Sequence, residues 1–357
     1  MSGGARAEAA QEPSDAPSGE PSARRADTRN VRTYRRLLPG DRVVVVAPSG
    51  PVEPARLAAG EAALRDLGLD VAVGKHALDR VNLDGSAPAR DARRGLAGGD
   101  AERAADLADA WCDPDVRAVI CARGGYGATR VLDLLDWTAL AAATEADVAA
   151  AGAPKILHGS SDVTALHAAF GARLGITTSF GPMAAGLLAG PDTAASGTDG
   201  DRAWSIDALR GALFGGGTAL PGARALRPGR AEGPLTGGTL SLLTALLGTP
   251  YAPPPAAGRI AFLEDVTEAP YRIDRMLVQL LQAGWFDGAA GIALGSWDRC
   301  GDPDELDAVF AARLGGLGVP VLAGVPAGHG ARQGTLELGA PAVLDADRRT
   351  LAAGGAR

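Results

Sequence analysis

Lys155-Ile156-Leu157-His158-Gly159-Ser160-Ser161-Asp162-Val163-Thr164-Ala165-Leu166 runs from a short apolar strand, through a tight Gly-Ser-Ser-Asp turn, straight into an apolar-periodic helix. Such a turn holds a serine at an exposed bend. The N–H groups at the helix start have no intrahelical partner and face any anion that forms nearby. One turn can therefore supply an attacking oxygen and part of an oxyanion hole. The same residues also serve as plain helix N-caps, so the turn alone leaves both roles open.

Working outward, Asp41-Arg42-Val43-Val44-Val45-Val46-Ala47-Pro48-Ser49-Gly50 reads as a buried strand ending in a turn. Helix is expected over about 54–67, strand over 70–73, helix over 101–110 and strand over 116–122. That strand leads into Arg123-Gly124-Gly125-Tyr126-Gly127, a helix over about 129–135 and an Ala-rich segment. Buried strands alternating with helices imply α/β architecture: a parallel sheet covered on both faces, with its active edge at the strands' carboxyl ends. Residues 186–230 read as a Gly-, Ala- and Pro-rich linker or covering loop, apart from a helix at 205–213. A second αβ unit opens at Gly233-Pro234-Leu235-Thr236-Gly237-Gly238-Thr239-Leu240, with an apolar helix to 247. Further strands are expected at 259–263, 291–295 and 321–323, helices at 273–283 and 304–313, and a closing hairpin-like pair at 335–338 and 342–344. The organisation read from this is a disordered leader (1–38), an N-terminal α/β domain (39–190), a linker (191–230) and a C-terminal domain (231–350).

The 357 residues, 46% of them hydrophobic, suffice for a sizeable core. A net charge of −7 with scattered arginines argues against nucleic acid or an anionic membrane as partner. Three widely spaced cysteines give neither a disulfide framework nor a zinc site. The leader lacks a signal-peptide apolar run, and a soluble, cytoplasmic protein is expected.

Four histidines occur. His329 stands out in Val325-Pro326-Ala327-Gly328-His329-Gly330, a loop after a strand with glycine on both sides. His158 and His167 read as structural, and His76 as a strand-end residue. Glu264 ends the apolar run Ile260-Ala261-Phe262-Leu263, at a strand's carboxyl end where a carboxylate can fix a histidine's tautomer. Asp265 and Glu268 are rivals at almost the same place. The glycines of Arg123 to Gly127 follow a strand and precede a helix, as in a phosphate-cradling loop. Their spacing does not give G-x-G-x-x-G, and no Walker lysine and hydroxyl pair is present, so a structural turn or an oxyanion loop fits better.

The ordered blocks Val46 to Gly50, Arg123 to Gly127 with Arg130, Gly159 to Leu166, Phe262 to Asp265 with Tyr271-Arg272-Ile273-Asp274-Arg275, and Gly328 to Gly330 resemble the serine LD-carboxypeptidase family, peptidase family S66, over about 42–344. The resemblance implies a flavodoxin- or Rossmann-like N-terminal domain carrying the serine, a C-terminal α/β domain carrying the other two members, and a site between them. It implies Ser161, before the aspartate, as nucleophile; Glu264 as acid; and His329 as base. The oxyanion hole would be the N–H groups of Asp162 and Gly125. No metal or organic cofactor is implied, and a homodimer is.

The chemistry implied is acyl transfer: His329 takes the Ser161 proton, Glu264 orients the imidazole, and water clears an acyl-enzyme. The substrate class implied is a peptide or muropeptide, with terminal D-alanine released from murein tetrapeptides in cell-wall recycling. A microcin C-like peptidyl-nucleotide hydrolase and a non-catalytic ligand-binding protein of the same fold are the alternatives. Phe180 and Thr239 depart from the family's His-Gly-Pro and Gly-Gly-Asn patterns, and both are expected to bear on the substrate pocket.

Overall fold

The computed structural model describes residue 1 and residues 31–86, 95–190 and 197–353. The first part alternates β1 (Arg42–Val46), α1 (Pro54–Asp66), β2 (Asp70–Val73), α2 (Asp100–Cys112), β3 (Val116–Cys121), α3 (Ala128–Val131), α4 (Trp137–Ala151), β4 (Ile156–Gly159), α5 (Thr164–Leu174) and β5 (Thr178–Phe180). The second contains α6 (Asp199–Phe214), β6 (Thr218–Pro221), β7 (Arg224–Arg227), β8 (Arg230–Thr239), α7 (Leu240–Ala245), β9 (Ile260–Val266), α8 (Pro270–Gln282), β10 (Gly291–Asp298), α9 (Pro303–Leu314), β11 (Val321–Ala323), β12 (Leu336–Leu338), β13 (Pro341–Asp345) and β14 (Thr350–Ala353).

Strands β5, β4, β3, β1 and β2 lie side by side and parallel. They are almost unbroken apolar runs because both faces are covered. Leu107 and Trp111 of α2, Leu140 of α4 and Leu166 of α5 pack on one face; Leu57 and Leu64 of α1 and Leu209 and Leu213 of α6 pack on the other. The second sheet has the order β6–β14–β13–β8–β9–β10–β11–β7, with β8 to β11 parallel and the flanking strands antiparallel. Helices α7, α8 and α9 close one of its faces through Leu243, Leu277 and Phe310.

Three local expectations change. The segments 335–338 and 342–344 do not pair with each other: β12 joins β5 at the edge of the first sheet, and β13 joins β8 and β14 in the second. Gly339, at φ +89°, turns the chain between the two sheets. The Ala-rich segment before β4 is α4, capped by Asp136, whose carboxylate accepts from the N–H groups of Thr138 and Ala139. Within the supposed covering loop, 199–214 forms α6 behind a Thr198/Asp201 capping box, and β6 and β7 are the two edges of the second sheet. Edge strands pair on one side only, and their mixed sequences carry little period-2 signal. Of the leader, residues 2–30 lie outside the described residues; Tyr34 and Leu37 are buried beneath the first sheet. Among the described residues no helix is long and apolar enough to cross a membrane.

Candidate active site

The turn after β4 is tight, as its sequence suggests, and it is also strained. Ser160 is extended, and Ser161 sits at φ +61°, in the left-handed region that disfavours a side chain. A 3-10 turn over Ser161–Val163 then runs into α5, whose N-terminal end supplies a positive potential at the bend. Neighbouring contacts hold this geometry. The Asp162 carboxylate turns inward and accepts from Ser49 Oγ (2.6 Å) and from the Ala128 N–H (2.8 Å), tying the ends of β1, β3 and β4 together. Burial pushes the Asp162 carboxyl up, against the opposing effects of those two donors and of Arg103.

The Arg123–Gly127 loop lies directly over the serine. A Cβ placed on Gly124 would stand 2.9 Å from Ser161 Oγ and 3.2 Å from the Asp162 nitrogen, so only glycine permits this approach. Gly124 O accepts from the Gly50 N–H at 3.1 Å, and the trans peptide therefore directs the Gly125 N–H away from Gly50. Among the described residues, the N–H groups of Asp162 and Gly125 donate to no protein acceptor.

Glu264 and His329 arrive from the second sheet. Glu264 lies in β9 and is fully buried; its Oε2 accepts from His329 Nδ1 at 2.7 Å. His329 follows β11 on a loop whose Gly330 N–H donates to Ser296 Oγ at 3.0 Å, and its side chain stays 22% exposed. Gly328, at φ +111°, passes so close that a Cβ there would fall 2.4 Å from Glu264 Oε2. Burial lowers the His329 pKa and the adjacent Glu264 carboxylate raises it; the carboxylate prevails and the net direction is upward.

Ser161, His329, Gly124 and Gly125 line one cavity of about 590 Å³. Ser161 Oγ and His329 Nε2 both face it without being hydrogen-bonded to each other or to another protein group among the described residues. Such contacts commonly tighten only around bound substrate. Its charged wall comprises Arg56, Arg123, Arg202 and Arg299 against Glu53 and Asp298. Arg56 and Arg202 also brace the rim, donating to the carbonyls of Ala185, Gly186 and Gly190 and of Leu187 and Leu188.

The rival groups have other partners. Asp265 is buried, accepts from the N–H groups of Ser241 and Val266, both at 2.8 Å, and is pushed up to about 6 by that burial. Glu268 pairs with Arg272 on the surface, and Asp274 with Arg313. His158 bridges Ser179 Oγ and Pro182 O, while His167 donates from Nε2 to Gly159 O at 3.0 Å; burial brings both imidazoles down to about 4. His76 meets Asp79 at the surface.

Two residues take roles the sequence does not show. Thr239 stands opposite Glu264 in the parallel β8–β9 register and donates its hydroxyl to Glu264 Oε1; the same oxygen lies 3.3 Å from Ser161 O. Ser49 is the second, as the anchor of Asp162. Neither Phe180 nor Thr239 lines the 590 Å³ cavity. Phe180 is fully buried, edge-on to Phe262 at 5.3 Å.

Comparison with known proteins agrees with this architecture. The family model for the LD-carboxypeptidase N-terminal domain matches residues 43–181, and that for the LD-carboxypeptidase C-terminal domain matches 232–344. A Streptomyces coelicolor protein named as a carboxypeptidase is 49% identical over 319 residues, covering 88% of this chain and 94% of its own. The murein tetrapeptide carboxypeptidase of Pseudomonas aeruginosa is 34% identical over 314 residues, covering 86% and 94%. Among solved structures, the muramoyltetrapeptide carboxypeptidase from Oxalobacter formigenes superposes with a TM-score of 0.70 at 27% identity, over 87% of this chain and 97% of that one. The microcin C7 self-immunity protein MccF, in complex with glutamyl sulfamoyl guanosine, shares the fold with a TM-score of 0.74 at 22% identity, over 91% and 98%. With both of its domains matched, the chain belongs to the LD-carboxypeptidase family, peptidase family S66.

Proposed function

We propose that the protein is a serine carboxypeptidase that cleaves an L,D amide bond, releasing terminal D-alanine from murein tetrapeptides. One observation carries the reading: a serine in a strained left-handed bend shares a cavity with a histidine whose far nitrogen is fixed by a buried glutamate. The Glu264 bond to Nδ1 leaves the lone pair on Nε2, so His329 is poised to take a proton from Ser161 as the hydroxyl attacks the scissile carbonyl. Glu264 then stabilises the imidazolium. The unbonded N–H groups of Asp162 and Gly125 receive the tetrahedral oxyanion; each such donor contributes roughly 3 kcal/mol in comparable sites. His329 returns the proton to the leaving amine, and a water activated by the same nitrogen hydrolyses the acyl-enzyme.

The substrate class rests on charge and kinship. Four arginines against two carboxylates on the cavity wall favour an anionic ligand, as a peptide ending in a free carboxylate is. The 34%-identical relative is a murein tetrapeptide carboxypeptidase. A peptidyl-nucleotide would call for an aromatic platform, and Trp204 lies outside the cavity beneath the Arg332 guanidinium, 5.6 Å from its ring centre. The homodimer and the cytoplasmic location belong to the same proposal.

The test is a substrate panel with purified protein: a murein tetrapeptide, the corresponding all-L peptide and a peptidyl-adenylate analogue. D-alanine release from the first is expected at the highest kcat/KM. Preference for the adenylate analogue assigns the nucleotide alternative, and tight binding without turnover of any of them assigns a binding protein.

A further inference from the structure

Behind the catalytic turn, on the seam between the two sheets, lies a second cavity of about 60 Å³. His167 and Thr178 line it from the first half, and Thr236 and Arg259 from the second. Arg259 is only 7% exposed, yet its guanidinium has no ion-pair or hydrogen-bond partner among the described residues. Among the described residues, the other buried arginine and lysine are matched: Arg103 by Asp100, and Lys155 by Asp147. A guanidinium without a counter-charge in a largely buried side chain is disfavoured; its nitrogens keep some accessible surface, and it presents five donors in a fixed fork. The remaining wall is polar in the same unfinished way. Among the described residues the hydroxyls of Thr178 and Thr236, two buried residues, keep accessible surface and have no protein partner, and His167 Nδ1, in a residue 4% exposed, has none either. Because His167 Nε2 donates to a carbonyl, the neutral ring carries its lone pair on Nδ1, an atom that lies behind the cavity wall rather than on its surface.

We propose that this seam cavity binds one small monovalent anion, chloride- to carboxylate-sized, gripped by Arg259. The space suits a small ion: a water requires only about 10–15 Å³ by this measure, and the cavity opens to solvent, which gives the ion an entry path. The hydroxyls of Thr178 and Thr236 supply further donors, one from each half of the molecule. Bound there, the anion joins β5, through Thr178, to β8, through Thr236, beside His167 of α5. His167 holds Gly159 O two residues before Ser161, and the wall residue Gly237 lies two residues before Thr239, so the site braces the two elements that meet at the catalytic centre.

The experiment is thermal unfolding of the full chain, at constant ionic strength, with chloride or acetate exchanged for bulky gluconate. Wild-type Tm is expected to rise saturably, by roughly 1–3 °C at about ten times Kd. A response to chloride and acetate alike marks a general small-anion site; a response to only one of them assigns the source. Arg259→Gln and Arg259→Met are expected to lose the dependence and, in gluconate, to melt no lower than the wild type. Chloride-35 NMR on the wild type is the check that needs no variant: excess line broadening should saturate and be competed away by the preferred anion. A Tm independent of anion identity, a dependence unchanged in Arg259→Gln, or broadening that does not saturate overturns the proposal.

Discussion

The Thr239 hydroxyl donates to Oε1 of Glu264, the oxygen that His329 does not use. Glu264 is thus held at both oxygens, once by a β8 neighbour in register and once by the imidazole it orients. A carboxylate fixed in this way cannot rotate off the histidine, which makes Thr239 a positioning residue. Thr239→Val is predicted to lower kcat about 10- to 100-fold, in line with the loss of a hydrogen bond to a charged group, with little change in KM. Thr239→Ser should restore most of the rate. Equal losses in both variants would assign Thr239 to packing alone.

The bend at Ser161 makes a stability prediction separable from activity. At φ +61° a glycine is better tolerated than an alanine. Ser161→Gly should therefore be more stable than Ser161→Ala by about 1 kcal/mol in urea unfolding, while both lack activity. The reverse order would show that the turn is not strained.

Gly124 tests the loop that covers the serine. Gly124→Ala places a methyl group against Ser161 Oγ and the Asp162 nitrogen, where the oxyanion would form. A loss of kcat of at least about 100-fold is expected, with the fold retained by circular dichroism, because one oxyanion donor alone accounts for that much in comparable sites. Retention of wild-type kcat would remove the oxyanion from this position.

His329 must be neutral to act as a base, and its pKa lies above the ordinary 6.5 because the Glu264 carboxylate outweighs the effect of burial. The rate should therefore rise with pH through an inflection above 6.5 and then level. Glu264→Gln removes the charge, so the inflection should move downward as the plateau falls. The same raised pKa gives a stability term that is fully present below the unfolded value, near 6.5, and is lost as pH rises through the folded value. Unfolding free energies of wild type and Glu264→Gln should converge across that interval; parallel curves would contradict the coupling.

Much of the first sheet was legible because its strands are buried on both faces and bounded by turn residues, as Val43 to Val46 and Ile156 to Gly159 are. The strand–turn–helix at Ser161 was readable for the same reason. Long-range pairing was not. Nothing local in Leu336 to Leu338 shows that these residues leave their sequence neighbours to pair with Thr178 to Phe180. The Glu264 bonds to Thr239 and His329 join residues 25 and 65 positions apart. Sequence singled out Thr239 only as a departure from a pattern, and its role follows from a strand register that no single segment encodes. Asp265 and Glu264 are adjacent and chemically alike, and strand alternation separates them: one accepts from α7 and the other from His329.

The central claim is that Ser161 and His329 act as one unit on an L,D amide. Rates of D-alanine release from a murein tetrapeptide by wild type, Ser161→Ala, His329→Ala and the double variant test it most directly. The account predicts that each single variant falls by at least about 1000-fold and that the double variant falls no further, since neither group works without the other. A Ser161→Ala enzyme that releases D-alanine at the wild-type rate, or a double variant whose loss is the product of the two single losses, would contradict it.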